Sequence, residues 1–148
     1  MKTDLYLLDT SILLALIRGK SLGEHIDKAY NLRTSNFKPL ISIVTHGEIK
    51  VLAKKYEWGK EKSEKLQLML DNLNTIDIDF SIVSDYVELD YYSRKCKPAV
   101  RMGKNDLWIA ATAKATDAIL LTTDKDFNHL PLDVLKHSFI DPTPFLSP

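Results

Sequence analysis

The sequence contains a single cysteine, Cys96, so no disulfide bond can form within the chain. This scarcity is consistent with a reducing compartment, and we expect a cytoplasmic protein. No apolar run approaches the roughly 20 residues that a membrane-spanning helix needs. The apolar stretch after Asp4 has only four residues, which is too short for a signal peptide. We therefore expect a chain that does not cross a membrane.

The sequence also lacks an excess of either charge, with 20 Lys and Arg against 20 Asp and Glu. This balance argues against a general binder of polyanions but is compatible with a local basic patch. With 148 residues, 45% of them apolar, and no internal repeat or Gly/Ser linker, the chain is expected to form one domain, 1–148. Pro142, Pro144 and Pro148 predict a loose C-terminal tail over residues 141–148.

Several signatures of common enzyme classes are missing. There is no nucleophile elbow around a serine, no G-x-G-x-x-G turn and no G-x-x-x-x-G-K-[ST] loop. These absences argue against a serine hydrolase, a dinucleotide-dependent enzyme and a P-loop ATPase. No Cys or His pair has zinc-binding spacing. We interpret the scattered histidines as structural or surface residues: His25, His46, His129 and His137.

Continuous apolar runs alternate with segments of helical periodicity along the chain. Such runs are typical of strands buried on both faces, and the alternation with helices is typical of parallel sheets. The pattern predicts a three-layer α/β domain with a mostly parallel sheet. The expected strands are Leu5–Leu8, Leu40–Val44, Thr75–Asp79, Ala118–Thr122 and Ser138–Ile140, and helices are expected to begin near Thr10 or Ser11, Leu22, Thr45, Lys60, Ile82 and Asp106.

Four acidic residues stand where predicted strands end or where predicted helices begin. Asp9 follows the first strand, and Asp124 follows a later one. Glu48 is expected in the first turn of a helix that Thr45 opens, and Asp106 begins a helix with almost no polar face. Because ligand sites of open α/β sheets lie beyond the carboxyl ends of the strands, we expect these four acids to converge there.

Each acid has an ordinary explanation when it is taken alone. Asp9 and Asp124 suit turns or caps, and Glu48 and Asp106 suit a helix start, where the dipole favours negative charge. As a set they would repel one another, by about 4 kcal/mol for two charges 4 Å apart at an effective dielectric near 20. Such a cluster binds a cation or takes up protons. Oxygen ligands select hard cations such as Mg²⁺ or Mn²⁺, which promote phosphodiester hydrolysis without a protein nucleophile.

Four short segments carry these acids: Leu8–Ser11, Ser42–Glu48, Asn105–Ala111 and Leu121–Phe127. In this order they resemble the PIN-domain family, and most closely the VapC-type toxin ribonucleases of type II toxin–antitoxin systems. The resemblance implies an α/β/α fold with a mostly parallel central sheet. It also implies an endoribonuclease that depends on one or two Mg²⁺ or Mn²⁺ ions.

The resemblance assigns roles to individual residues of this chain. The metal-binding and catalytic residues would be Asp9, Glu48, Asp106 and Asp124. Asp126 would be a further ligand, or would face its neighbouring lysine or solvent. Support for Asp9 or for a metal-bound water would come from Thr10 or Ser11, and support behind the other ligands from Asn105 and Thr122.

The resemblance further implies partners. The substrate would be RNA, with tRNA and rRNA as candidates, and a cognate antitoxin protein would mask the acidic site. The family also implies a homodimer. A candidate pairing surface is the helix that carries Leu66, Met69, Leu70 and Leu73, although the same residues equally suit packing within their own domain.

Five basic residues crowd the stretch before Asp106 and are candidate contacts for RNA phosphates. A solvated loop with incidental charges explains them as well. Nearby, Tyr91 and Tyr92 suit either base stacking or packing, and Trp108 is expected in the core. The five candidate contacts are Arg94, Lys95, Lys97, Arg101 and Lys104.

Three other classes of protein also carry acids at the ends of strands, and each predicts a different sequence or activity. A non-catalytic PIN-like module that binds RNA or protein would carry the same acids without cleaving RNA. A phosphohydrolase of the haloacid-dehalogenase type needs a second acid two residues after the first, where this chain has Ser11. A receiver domain needs adjacent acids at the end of the first strand, and Asp9 stands alone between Leu8 and Thr10. The nuclease is the favoured interpretation.

Overall fold

The structure, a computed structural model, describes residues 4–32 and 38–146. Its strands are β1 (Tyr6–Leu8), β2 (Leu40–Ser42), β3 (Asn74–Ile76), β4 (Ile119–Thr122) and β5 (His137–Phe139). They form one sheet in the order β3-β2-β1-β4-β5, and every strand pair in it is parallel. The predicted α/β fold with a parallel sheet is therefore confirmed, and the carboxyl ends of all five strands meet at one edge.

Helices cover both faces of this sheet. Within the two described ranges, no helix is long and apolar enough to cross a membrane. Two short 3₁₀ turns lie at Lys125–Phe127 and Thr143–Phe145. The α-helices are α1 (Thr10–Arg18), α2 (Ser21–Tyr30), α3 (Ile43–Lys55), α4 (Lys60–Asp71), α5 (Phe80–Lys95) and α6 (Lys104–Ala115).

The central strands are buried on both sides because successive side chains of a strand point to opposite faces. Leu7 of β1 and Leu120 of β4 pack in the core that α5 and α6 cover. Leu8 and Leu121, the next residue on each strand, pack in the core that α1 to α4 cover. All four leucines are fully buried. This arrangement explains why the strands have continuous rather than alternating apolar sequences.

The helix α6 packs closely against the sheet and α5 because its inner face has small side chains. Ala110, Ala111 and Ala113 are fully buried. At the contact between α5 and α6, the rings of Tyr86 and Trp108 lie 4.1 Å apart. Trp108 is half-buried against the core rather than enclosed by it. This packing fixes the position of the first turn of α6.

One helix begins earlier than the sequence pattern predicts. β2 ends at Ser42, and α3 begins at Ile43, two residues before the expected start at Thr45. The hydroxyl of Ser42 caps the helix by accepting a hydrogen bond from the Val44 N–H at 3.1 Å. Periodicity could not locate this boundary because the first residues of the helix continue the apolar run of the strand. Glu48 is consequently the sixth residue of α3, in its second turn rather than its first.

The cap of α1 also differs from the expectation. Neither Thr10 nor Ser11 caps the helix; the carboxylate of Asp9 does so by accepting a hydrogen bond from the Ile12 N–H at 3.1 Å. Asp9 has extended backbone geometry, as expected for a residue that ends a strand and precedes a helix. One side chain therefore joins the end of β1 to the start of α1.

The C-terminal segment, expected to be loose, folds back on the domain at one point. The ring of Phe145, in the turn Thr143–Phe145, lies 4.8 Å from the ring of His25 on α2. Residues 147 and 148 of the expected tail lie outside the described residues.

We predict that Leu120→Ala lowers the free energy of unfolding by about 2–5 kcal/mol, because it opens a cavity beneath α6. The matched control is Leu132→Ala, whose side chain is 65% exposed and loses little packing. Urea denaturation of both variants measures the difference. Equal losses in the two variants would contradict the layered core.

Candidate metal centre

Three carboxylates meet at the carboxyl edge of the sheet. Asp106, Asp124 and Asp126 each offer one oxygen, and these oxygens all lie within 4.8 Å of one another. Asp106 is the third residue of α6, whereas the other two follow β4. The Asp124 carboxylate accepts a hydrogen bond from the Asp126 N–H at 3.0 Å, which closes the 3₁₀ turn and brings the second carboxylate back beside the first.

Asp9 lies beside this cluster and is almost completely buried, with 5% exposure. One carboxylate oxygen accepts hydrogen bonds from the Ser11 hydroxyl and the Ile12 N–H, and the other accepts one from the Thr122 hydroxyl. Thr122 Oγ1 also accepts the Asp124 N–H at 2.9 Å. Thr122 therefore holds Asp9 and the backbone of Asp124 in a fixed relation.

Burial raises the pKa of the Asp9 carboxyl, and the nearby charge of Asp124 raises it further. The hydrogen bonds from Ser11, Thr122 and Ile12 act in the opposite direction, because they stabilise the ionised carboxylate. The donors around Asp9 therefore favour the charged form that binds a cation.

Glu48 reaches the site through a different set of contacts. Its carboxylate accepts a hydrogen bond from the Thr10 hydroxyl at 2.7 Å and another from the side-chain amide of Asn105 at 3.3 Å. Of Thr10 and Ser11, the two alternative supports predicted for Asp9, Thr10 turns its hydroxyl to α3, where it also lies 3.3 Å from Thr45 Oγ1. Ser11 is the residue that bonds to Asp9. Asn105 links Glu48 to the first turn of α6.

The pKa of Asp106 is strongly raised. Burial, a hydrogen bond with Asp126 and the charges of Asp124, Asp126 and Asp9 together raise its pKa to about 7. Across the described ranges, no Lys or Arg lies within ion-pair distance of these acids. The cluster is therefore short of positive charge, as expected for a set of cation ligands.

The donor set fits a hard divalent cation. Asp106, Asp124 and Asp126 would hold the ion, with the charge of Asp9 acting on Asp106 and Glu48 joined to the first turn of α6 through Asn105. Carboxylate oxygens are the ligands that Mg²⁺ and Mn²⁺ prefer. Of the predicted ligands, the structure brings together Asp106, Asp124 and Asp126, whereas Asp9 and Glu48 are not part of this closest group.

Sequence reasoning missed a contact behind the acids. The imidazole of His129 lies 2.8 Å from the hydroxyl of Ser93, a fully buried residue of α5, and is hydrogen-bonded to the backbone of Asp126. His129 therefore ties α5 to the turn that follows β4. A lone histidine has no sequence signal for this role, and the sequence predicts His129 only as a structural or surface residue.

The sequence matches the PIN domain family over residues 6–132. The match covers most of the chain, and this chain belongs to the PIN domain family.

Individual relatives are similar along nearly their whole length. The chain is 29% identical over 137 residues to ribonuclease VapC2 of Rickettsia felis, covering 90% of this chain and 97% of that protein. The crystal structure of VapBC2 from Rickettsia felis, bound to a promoter DNA fragment, is similar with 25% identity and a TM-score of 0.76, covering 93% of this chain and 99% of that chain. A toxin–antitoxin complex from Klebsiella pneumoniae is similar with 27% identity and a TM-score of 0.67, covering 85% and 92%. The predicted resemblance to VapC-type proteins is confirmed.

We predict that the metal-free protein loses stability as the pH rises from about 4 to about 7. The folded chain has the higher pKa at Asp106, so it holds more protons than the unfolded chain across this window. The free energy of unfolding therefore falls as the pH rises through it. Urea denaturation in EDTA at several pH values measures the slope, and Asp106→Asn should make it shallower.

The matched control is Asp133→Asn, which removes an exposed carboxylate that is not part of the cluster. It should keep the slope of the parent protein. If Asp106→Asn and Asp133→Asn give the same pH dependence, the raised pKa at Asp106 is contradicted.

Proposed function

We propose that this chain is a metal-dependent endoribonuclease that hydrolyses RNA phosphodiester bonds at the acidic cluster. The observation that carries the proposal is the group formed by Asp106, Asp124 and Asp126, whose oxygens lie within 4.8 Å of one another without a neutralising Lys or Arg among the described residues. The buried Asp9 stands next to it. A site of this kind suits Mg²⁺ or Mn²⁺, as one ion or two.

A bound divalent cation would supply an activated water and stabilise the charge on the leaving oxygen. The residues of the chain do the positioning. Asp106, Asp124 and Asp126 would hold the cation beyond the end of β4, where the exposed Asp126 faces solvent. Ser11 and Thr122 keep the Asp9 carboxylate oriented towards the cluster.

Glu48 has a distinct place in this proposal. Thr10 and Asn105 bond to different oxygens of its carboxylate, so the side chain is held in one orientation over the first turn of α6. It is ionisable, half-buried and next to the cluster, which suits a second cation or a proton transfer to or from water. We therefore retain Asp9, Glu48, Asp106 and Asp124 as the catalytic set, with Asp126 as a further ligand.

The relatives support RNA as substrate and a protein partner. One similar protein is named a ribonuclease, and the similar solved structures contain a toxin with its antitoxin. We propose that this chain is likewise the toxin of such a pair, that it acts in the cytoplasm as a homodimer, and that a cognate antitoxin blocks its site. Structured RNAs such as tRNA and rRNA are the first substrates to test.

We predict that the purified protein, free of any partner, cuts total RNA or tRNA into discrete fragments with Mn²⁺ or Mg²⁺. Asp106→Asn should reduce cleavage to the level seen with EDTA, because it removes a central ligand. Thr122→Val should cause a smaller loss, about 10–100-fold, because it removes only the hydrogen bond that orients a ligand. Gel electrophoresis of labelled RNA measures both effects.

Asp133→Asn is the control for loss of a carboxylate and should cut RNA like the parent protein. Cleavage that persists in EDTA or in Asp106→Asn would contradict the mechanism. Intact RNA bound tightly by a folded, Mn²⁺-binding protein would instead support a non-catalytic module.

A further inference from the structure

The segment between α5 and α6 runs alongside the acidic cluster. At its start, the buried Ser93 is bonded to His129, three residues after Asp126 in the chain. At its end, Gly103 precedes α6 so closely that a Cβ placed on it would lie 3.8 Å from the Asp106 carboxylate. The segment 96–103 therefore ends next to Asp106, and the helix before it is linked to the backbone of Asp126 through His129.

The same segment is held to the domain by contacts in its middle. The Val100 N–H donates a hydrogen bond to the Ser93 carbonyl at 2.8 Å. The side chain of Met102 is only 6% exposed and, with Val100, packs against the core beneath α5 and α6. Met102 and Val100 hold the segment to the domain, and its basic residues remain exposed to solvent. Lys97, Arg101 and the adjoining Lys104 are all exposed.

The five basic residues predicted to contact RNA fall into two groups. Arg94 is paired with Asp90 at 2.9 Å, and the ammonium group of Lys95 lies 5.4 Å from the ring centre of Tyr91. These two side chains already have partners on α5. By contrast, the other three, Lys97, Arg101 and Lys104, make no ion pair with any residue in 4–32 or 38–146.

Unpaired basic side chains near an acidic cluster can bind a nucleic-acid backbone that the carboxylates would otherwise repel. The carboxylates repel a nucleic-acid backbone wherever a bound cation does not neutralise them, so phosphates on either side of the reacting one need other positive groups. We propose that Lys97, Arg101 and Lys104, the basic strap, bind backbone phosphates of the RNA strand next to the cleaved bond. This inference rests on the proposed ribonuclease function.

Salt-dependent RNA binding tests the basic strap. The probe is a fluorescein-labelled single-stranded RNA of mixed sequence, measured by fluorescence anisotropy over a range of KCl concentrations. All variants carry Asp106→Asn so that the probe stays intact. Adding Lys97→Gln, Arg101→Gln and Lys104→Gln should weaken binding and reduce the slope of log K against log salt by about 2, since each single-strand phosphate contact contributes roughly 0.7.

Two matched controls separate the strap from general charge effects. Lys20→Gln, Lys28→Gln and Lys54→Gln remove the same charge from exposed positions before and on α2 and at the end of α3, and none of the three makes an ion pair with a residue in 4–32 or 38–146. Arg94→Gln with Lys95→Gln removes the two charges that are already engaged. Both controls should reduce the slope by clearly less than the strap variant does, and all variants should keep the melting temperature of the parent.

Each outcome decides the proposal. If the strap variant and the distant-lysine control have the same slope of log K against log salt, the strap proposal is contradicted, and the nuclease proposal is unaffected. A parent protein that cuts no RNA but loses RNA binding in the strap variant would contradict the nuclease and sustain the strap. If the parent binds no RNA at all, the strap proposal fails, and the cleavage assay with Mn²⁺ decides the nuclease proposal separately.

Discussion

Repulsion among carboxylates at one edge of a parallel sheet is the constraint on which this structure depends. Every strand points the same way, so side chains that follow β1 and β4 arrive at the same edge. Two carboxylates 4 Å apart repel by about 4 kcal/mol at an effective dielectric near 20. Only a rigid frame can hold such groups together, and the two apolar cores on either side of the sheet form that frame.

Hydrogen-bond donors around two of the acids explain how their carboxylates are held in place. Ser11 and Thr122 donate to Asp9, and Thr10 and Asn105 donate to Glu48. Neutral donors orient a carboxylate without cancelling its charge, whereas a lysine or arginine would compete with a cation for the same oxygens. The site therefore combines oriented carboxylates with the absence of any described Lys or Arg paired to them, and this combination suits a divalent cation.

Much of the fold could be predicted from the sequence because both cores leave a clear pattern. Leu7, Leu8, Leu120 and Leu121 are buried in pairs on opposite faces, which makes the runs continuous and marks a parallel sheet. The boundary at Ser42 could not be predicted in the same way, because the apolar residues after it belong to a helix rather than to the strand. Local hydrogen bonding decides that boundary, and apolar patterns do not report it.

Three of the acids were predictable because Asp9 and Asp124 follow strands and Asp106 lies in the first turn of a helix; Glu48 stands one turn further into α3 than predicted. Their individual partners were not, since these depend on side-chain orientation. Thr10 and Ser11 are equal candidates to support Asp9 in the sequence; the structure has Ser11 at Asp9, and Thr10 bonds to Glu48, 38 residues away in sequence. Asp126 was left open because its direction depends on the 3₁₀ turn that the Asp124 side chain closes.

The most direct test of the central claim is the position of Mn²⁺ in crystals of this protein, read from anomalous diffraction. The account predicts a peak bounded by the carboxylates of Asp106 and Asp124, with Asp9 or Asp126 as a further neighbour. A well-ordered crystal grown with saturating Mn²⁺ that shows no peak there, or shows its peaks only elsewhere on the surface, would contradict it.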